Sequence, residues 1–345
     1  MRKSIISLAL ALGLALPAFS DTLTLRADAP TRYTVVKGDT LWGISGRYLK
    51  SPWKWPQLWR MNKSEIRNPH WIYPGDVLVL TYVNGEPRLT LEKGAQGDIK
   101  LSPQMRMDDI DQAVNSIPAK AIEPFLKRPL VTDQAQFQSA PVLIAGPEQR
   151  LAFGTGDKVY ANGVTEPGSW QAFRPGKPLI DPDTKENLGY EVVYGGDLVV
   201  DKISPDVQTL RVTGIAEEIL KGDRLVKAPK DQFVRYVPHA PDNGVQGKII
   251  AIYNGVDGAA QYSTVIINRG SREGVESGHV FGVFKKGKPM EITAADGQKK
   301  VVLLPAEPGG KVFIYRVFEK VSYGLVMESA TELNKGDVIA APEAE

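Results

Sequence analysis

Bond-making chemistry draws on a short list of side chains, and this sequence withholds most of them. It contains no cysteine, which excludes a thiolate nucleophile, a cysteine-ligated zinc and a disulfide scaffold. Its three histidines, His70, His239 and His279, stand in three different segments, so a zinc site built from neighbouring imidazoles is not expected. No Gly-x-Ser-x-Gly turn presents a serine nucleophile. Carboxylate-only chemistry stays open with 40 acidic residues, as in glycoside hydrolysis. However, Glu123, Glu148, Glu166 and Glu307 stand beside prolines in turn-like sequence, where exposure is the expectation. What stands out is an aromatic, basic stretch. Five of the six tryptophans (Trp42, Trp53, Trp55, Trp59 and Trp71) fall within residues 33–80, which also carry a local charge of +4. A formal charge of +2 over the whole chain gives no bulk attraction to nucleic acid.

The elements that must position this stretch are legible. Tyr33 to Val36 alternates as a short strand, and Gly38-Asp39-Thr40 reads as a turn. Thr40 is placed to cap a helix in which Leu41, Ile44 and Tyr48 recur at helical spacing. Ser51-Pro52 stops that helix, and Pro56 suits the first turn of a second one running to about Asn62. Asn68 to Asp76 is a loop entering a final strand, Val77 to Leu80, so the order is β-α-α-β. Trp53 and Trp55 are two apart and cannot share a helical face. A domain this small without disulfides needs bulky core residues, so about three of the five tryptophans should be structural. Trp42 and Trp71, beside the loops, are the expected ligand contacts.

These residues resemble a LysM domain, the small glycan-binding module of bacterial cell-wall proteins. The resemblance is carried by Tyr33, Val35, Gly38-Asp39-Thr40-Leu41, Ile44, Asn62, Ile66, Asn68-Pro69 and Ile72-Tyr73-Pro74-Gly75. It implies binding to polymers containing N-acetylglucosamine, in a groove between two loops. One side would hold Gly38, Asp39, Thr40, Leu41 and Trp42. The other would hold Asn68, Pro69, His70, Trp71, Ile72 and Tyr73, with His70 an exposed donor. The implied partner is the glycan strand of peptidoglycan, with no metal, cofactor or nucleic acid.

Around the module, the chain begins Met1-Arg2-Lys3, runs apolar from Ile5 to Phe19 and reaches small residues at Ala18 and Ser20. That pattern predicts a cleaved signal over residues 1–20, a protein exported to the periplasm, and no membrane span after cleavage. Residues 81–150 contain seven prolines and read as a linker with a short helix, Ala121–Lys127, and strand at Arg88–Leu91 and Asp98–Leu101. Beyond them come short β-branched runs bounded by Gly, Pro, Asn or Asp, split by a Pro-rich gap at Val237–Asn243. Asn268 to Val283 resembles turn-and-strand units in small β domains of envelope and flagellar assembly proteins. The expected architecture is therefore α+β. It comprises the βααβ module at 33–80, the linker, and two mainly β domains, barrel- or sandwich-like, at 151–236 and 244–345. Gly-Asp recurs seven times, at 38, 75, 97, 156, 196, 222 and 336, and reads as a repeated turn. The function this supports is non-enzymatic binding of peptidoglycan strands, with the β domains serving interaction. The alternatives are an envelope assembly scaffold that contacts a protein partner through residues 151–345, and a cell-wall hydrolase.

Overall fold

The computed structural model describes residues 23–60, 72–83, 85–92, 117, 131–229, 237–241, 244–253, 258–285, 287, 289–293, 299–303 and 305–342. Five elements build the N-terminal module: β1 (Arg32–Thr34), α1 (Leu41–Tyr48), α2 (Trp55–Arg60), β2 (Val77–Val83) and β3 (Glu86–Glu92). The Thr40 hydroxyl caps α1 by accepting from the Gly43 amide at 3.0 Å. Leu41, Ile44 and Tyr48 are fully buried, together with Val35, Leu58, Trp55, Trp59, Ile72, Leu78 and Leu89. A 3-10 turn, Pro52–Lys54, leads directly into α2. It separates Trp53 from Trp55, which fall into different apolar clusters.

β2 pairs antiparallel with both β1 and β3. Residues 86–92, expected to open the linker, are thus the third strand of the module's sheet, and Leu89 is in its core. Bulk apolar residues alternating over Arg88–Leu91 needed a face to cover, and β2 supplied it. Residues 1–20, expected to be a signal, and the expected elements Asp98–Leu101 and Ala121–Lys127 lie outside the described residues.

The first β unit begins at Val131, earlier than the expected boundary at 151. Asp133 caps the helix Gln134–Ser139 through the Gln136 amide at 2.7 Å, and Val142–Ala145 joins the sheet. From Val142–Ala145 the ladder passes through Lys158–Asn162, Gln208–Ile215, Asn187–Lys202, Ser169–Ile180 and Arg224–Lys227 and returns. Leu143, Phe153, Val159, Leu198, Leu210, Val212 and Leu225 fill the interior. The second unit is a closed barrel in the order Gly247–Ile252, Thr264–Ile267, Ser322–Ser329, Glu307–Val317, Val280–Lys285 and Val338–Ala340. Ile249, Val265, Phe281, Val283, Val312 and Val326 lie in one cluster.

The two units interlock. The hairpin Ser169–Ile180/Asn187–Lys202 extends its tip onto the second barrel. There Asp181 accepts from the Asn268 side chain at 2.8 Å. Arg272 grips both carboxylate oxygens of Glu186, at 3.0 and 3.1 Å, and Lys320 adds a third bond at 2.8 Å. Leu179 and Leu188 share a cluster with Ile250, Ile266, Phe313, Tyr323 and Leu325. This explains why barrel strands read as continuous apolar runs: all four residues of Thr264–Ile267 are buried, which requires cover on both faces.

The tip also makes a pH prediction. Bonds from Arg272, then Lys320, hold the Glu186 carboxyl down from its ordinary value of 4.5 to about 2. A depressed carboxylate contributes stability above its unfolded value and loses it as the pH falls toward the folded one. Thermal melts between about pH 5 and about pH 2 should show a fall in midpoint that Glu186→Gln largely removes. An unchanged slope in the variant would show that Glu186 does not lock the hairpin.

Candidate glycan-binding site

A single turn recurs through the chain. In Val36–Asp39, Tyr73–Asp76, Gly154–Asp157, Leu220–Asp223 and Asn334–Asp337, the third residue is a glycine with φ between 90° and 100°. The aspartate amide donates to the carbonyl of the first residue at 3.0–3.1 Å. Its Oδ2 then accepts from the amide of that same first residue at 2.7–2.9 Å. Glycine supplies the left-handed angle and aspartate closes the ring, as the dipeptide suggested. Gly196-Asp197 does otherwise: it lies inside a strand, and Asp197 accepts from Gln171 at 3.1 Å. The pair at 97 lies outside the described residues.

Two of these turns are laced together in the module. The Val35 amide donates to the Asp76 carbonyl and the Gly75 amide to the Val35 carbonyl, both at 2.8 Å. The first turn is further braced by Tyr33, whose hydroxyl donates to Asp39 at 2.8 Å, while Arg47 stacks on the Tyr33 ring at 4.5 Å. Burial, then the Asp39 bond, pushes the Tyr33 phenol up, and burial pushes Tyr48 up to about 12. Both hydroxyls therefore stay neutral at ordinary pH.

The site residues separate into three groups. Gly38, Asp39, Thr40 and Tyr73 lie at the surface or half-buried. Leu41, Trp42 and Ile72 are buried, so they support the turns from behind. Asn68, Pro69, His70 and Trp71 lie outside the described residues, as do Asn62 and Ile66. Trp42 is the correction: at 5% exposure it packs with Trp53 and Ile117 in the cluster that also contains the outer barrel residues. Its place one residue into α1, on the side that Trp53 covers, makes it a packing residue. The four tryptophans described in the module, Trp42, Trp53, Trp55 and Trp59, are all buried.

The side chains of Asp39 and Thr40 are committed to the turn and the helix cap. What the laced turns offer a ligand is backbone and small apolar surface. The Gly38 amide has no partner among the described residues, Val36 is 53% exposed, and Lys37 and Pro74 are exposed as well. Sequence reasoning missed Val36, although strand alternation from Tyr33 and Val35 marks it as outward-facing. An acetamido group needs such a surface: an amide partner and an apolar patch for its methyl.

A β-α-α-β module of this length, laced by two glycine turns, has the frame of a small binding module. Residues 33–81 match the LysM domain family, so this is a LysM domain-containing chain. It is also similar to the uncharacterized protein YqbP of Bacillus subtilis (strain 168), at 44% identity over 60 residues, 15% of this chain and 27% of that protein. The chain thus spans about a quarter of the relative's length, and the likeness is confined to a segment.

The burial makes a stability prediction. Trp42→Ala should cost about 3–5 kcal/mol in urea unfolding, the usual loss for a buried tryptophan. Gly38→Ala meets no atom within 4 Å but sits at φ 99°, so its cost should be strain alone, about 1 kcal/mol. A Trp42→Ala protein of unchanged stability would return Trp42 to the ligand-facing surface.

Proposed function

We propose that this chain is an exported, non-catalytic protein that holds N-acetylglucosamine-containing strands of peptidoglycan on its two laced turns. The LysM match supports the ligand class, and the exposed Gly38 backbone, whose amide has no partner among the described residues, supports the contact surface beside exposed Val36. The cationic, apolar N-terminus supports export to the periplasm. The observation that carries the reading is the lacing through Val35, which joins the strand before the Val36–Asp39 turn to the Tyr73–Asp76 turn.

Covering about 80 Å² of apolar sugar surface contributes roughly 2 kcal/mol, and association entropy opposes it. One module should therefore bind a disaccharide weakly and long strands better. Calorimetry should show a tetrasaccharide binding more tightly than the disaccharide, and equal affinities would sink an extended groove. Val36→Asp and Tyr73→Ala should reduce sedimentation with insoluble sacculi while leaving thermal midpoints in place. Undiminished sedimentation in both variants would move binding elsewhere, and release of soluble fragments would make the chain a hydrolase.

A second reading, a scaffold for a protein partner, draws on one feature. The hairpin Pro289–Thr293/Lys299–Leu303 forms a separate two-stranded sheet with Met290, Ile292 and Val301 exposed. A lone hairpin is marginal in water, so apolar residues on it are suited to contact. Replacing all three by serine should abolish any dominant cross-linked protein without altering sacculus binding.

A further inference from the structure

Two of the three histidines meet, against the sequence expectation. The rings of His239 and His279 lie edge to face with centroids 4.7 Å apart, and a parallel bridge joins their backbones. The segment Val237–Pro241 lies between the two β units in the chain and docks on the second barrel here. The His239 amide donates to the Gly278 carbonyl at 3.0 Å, and the Val280 amide donates back to the His239 carbonyl at 2.9 Å. His239 Nδ1 donates to the Val237 carbonyl at 2.9 Å. A Cβ at Gly278 would meet that carbonyl at 2.8 Å, so the segment lies directly on the turn.

That turn is Glu276-Ser277-Gly278-His279. Gly278 has φ 107°, and the His279 amide donates to the Glu276 carbonyl at 3.2 Å. His279 Nδ1 accepts from the Glu276 amide, also at 3.2 Å. It is the turn of Asp39, Asp76, Asp157, Asp223 and Asp337 with an imidazole where the carboxylate stands. The exchange changes its chemistry. A carboxylate ordinarily keeps accepting down to about pH 4, whereas an imidazole accepts at Nδ1 only while unprotonated, and ordinarily takes its proton near pH 6.5.

We propose that His279 makes this turn a proton-sensitive latch, which holds Val237–Pro241 on the barrel while the ring is neutral and releases it when the ring is protonated. Among the described residues, the groups facing His279 include the His239 imidazole, the Glu276 carboxylate and the Phe281 ring, the last edge-on at 6.1 Å. Ligating atoms of the three polar groups lie within 4.8 Å of one another. A protonated Nδ1 can no longer receive the Glu276 amide and turns to the Glu276 carboxylate, which opens the turn. His279 is only 4% exposed, so a proton on its ring is held with little water around it. The trio is a poor chelate, because a neutral His279 that accepts at Nδ1 carries its proton on Nε2 and has no lone pair there for a metal.

Amide NMR of the full chain from about pH 8 to about pH 5 tests the latch across the imidazole range. The Glu276, Gly278, His239 and Val280 amides should shift together, with the midpoint of the His279 ring itself. Exchange protection of the Val280 amide, corrected for intrinsic rates, should fall by about tenfold as the local opening grows. His279→Asp restores the carboxylate form of the turn and should abolish the transition with the fold intact. His239→Phe keeps a ring at the contact and should retain a transition with a moved midpoint. The latch is overturned if the amides of 237–241 and 276–280 do not follow His279, or if His279→Asp responds as the parent does.

Discussion

A closed four-residue turn is the constraint on which the described architecture rests. A glycine at φ near 95° reverses the chain, and the next side chain reaches back to the amide three residues earlier. Without that acceptor, the amide would be left unpaired at a point where strand pairing begins, at a cost of about 1–3 kcal/mol if buried. With it, the strand that follows starts in a fixed register. β2, Lys158–Asn162, Arg224–Lys227 and Val338–Ala340 each follow such a turn directly. The same device appears in the module and in both barrels, so one piece of local chemistry starts strands in all three.

The device has different consequences by location. At Asp223 the carboxylate is buried, and Arg174 at 3.0 Å accompanies it. Burial pushes that carboxyl up, against the opposing pull of the Leu220 amide and Arg174. At Asp157 the turn is more open and the Gly154 amide dominates, drawing the carboxyl down. At Asp39 the acceptor is shared with Tyr33, which ties the turn to β1 and leaves the backbone of Lys37 and Gly38 as the outward surface.

Much of this was legible because local signals are strong where they are short. Thr40 as a cap, Leu41/Ile44/Tyr48 as a buried stripe, and the βααβ order all follow from spacing within a few residues. The barrel strands were legible for the same reason. What escaped were pairings across distance. Arg88–Leu91 announced a strand but not its partner, β2. The hairpin tip at Asp181–Glu186 reads as an ordinary turn, and nothing local says that Arg272 and Lys320 await it. Trp42 looked like a loop aromatic because its cover comes from Trp53 and from residues far along the chain. His239 and His279 were separated in sequence and adjacent in space, the error to which a separation argument is most exposed.

Trp42 and Trp53 bear on how the module is carried. If the linker alone joined the module to the barrels, its tryptophans would all belong to its own core. Instead two of the four described sit in the cluster that includes Ile117, Leu179 and the outer face of the second barrel. Each buried aromatic contributes about 1.5–3 kcal/mol through area alone, enough to matter against the entropy of a flexible tether. The module thus shares an apolar cluster with the hairpin tip and the outer face of the second barrel. The structural reason for an aromatic-rich insertion between α1 and α2 is then that it faces both ways, with Trp55 and Trp59 inward to the module and Trp53 outward to the rest of the chain.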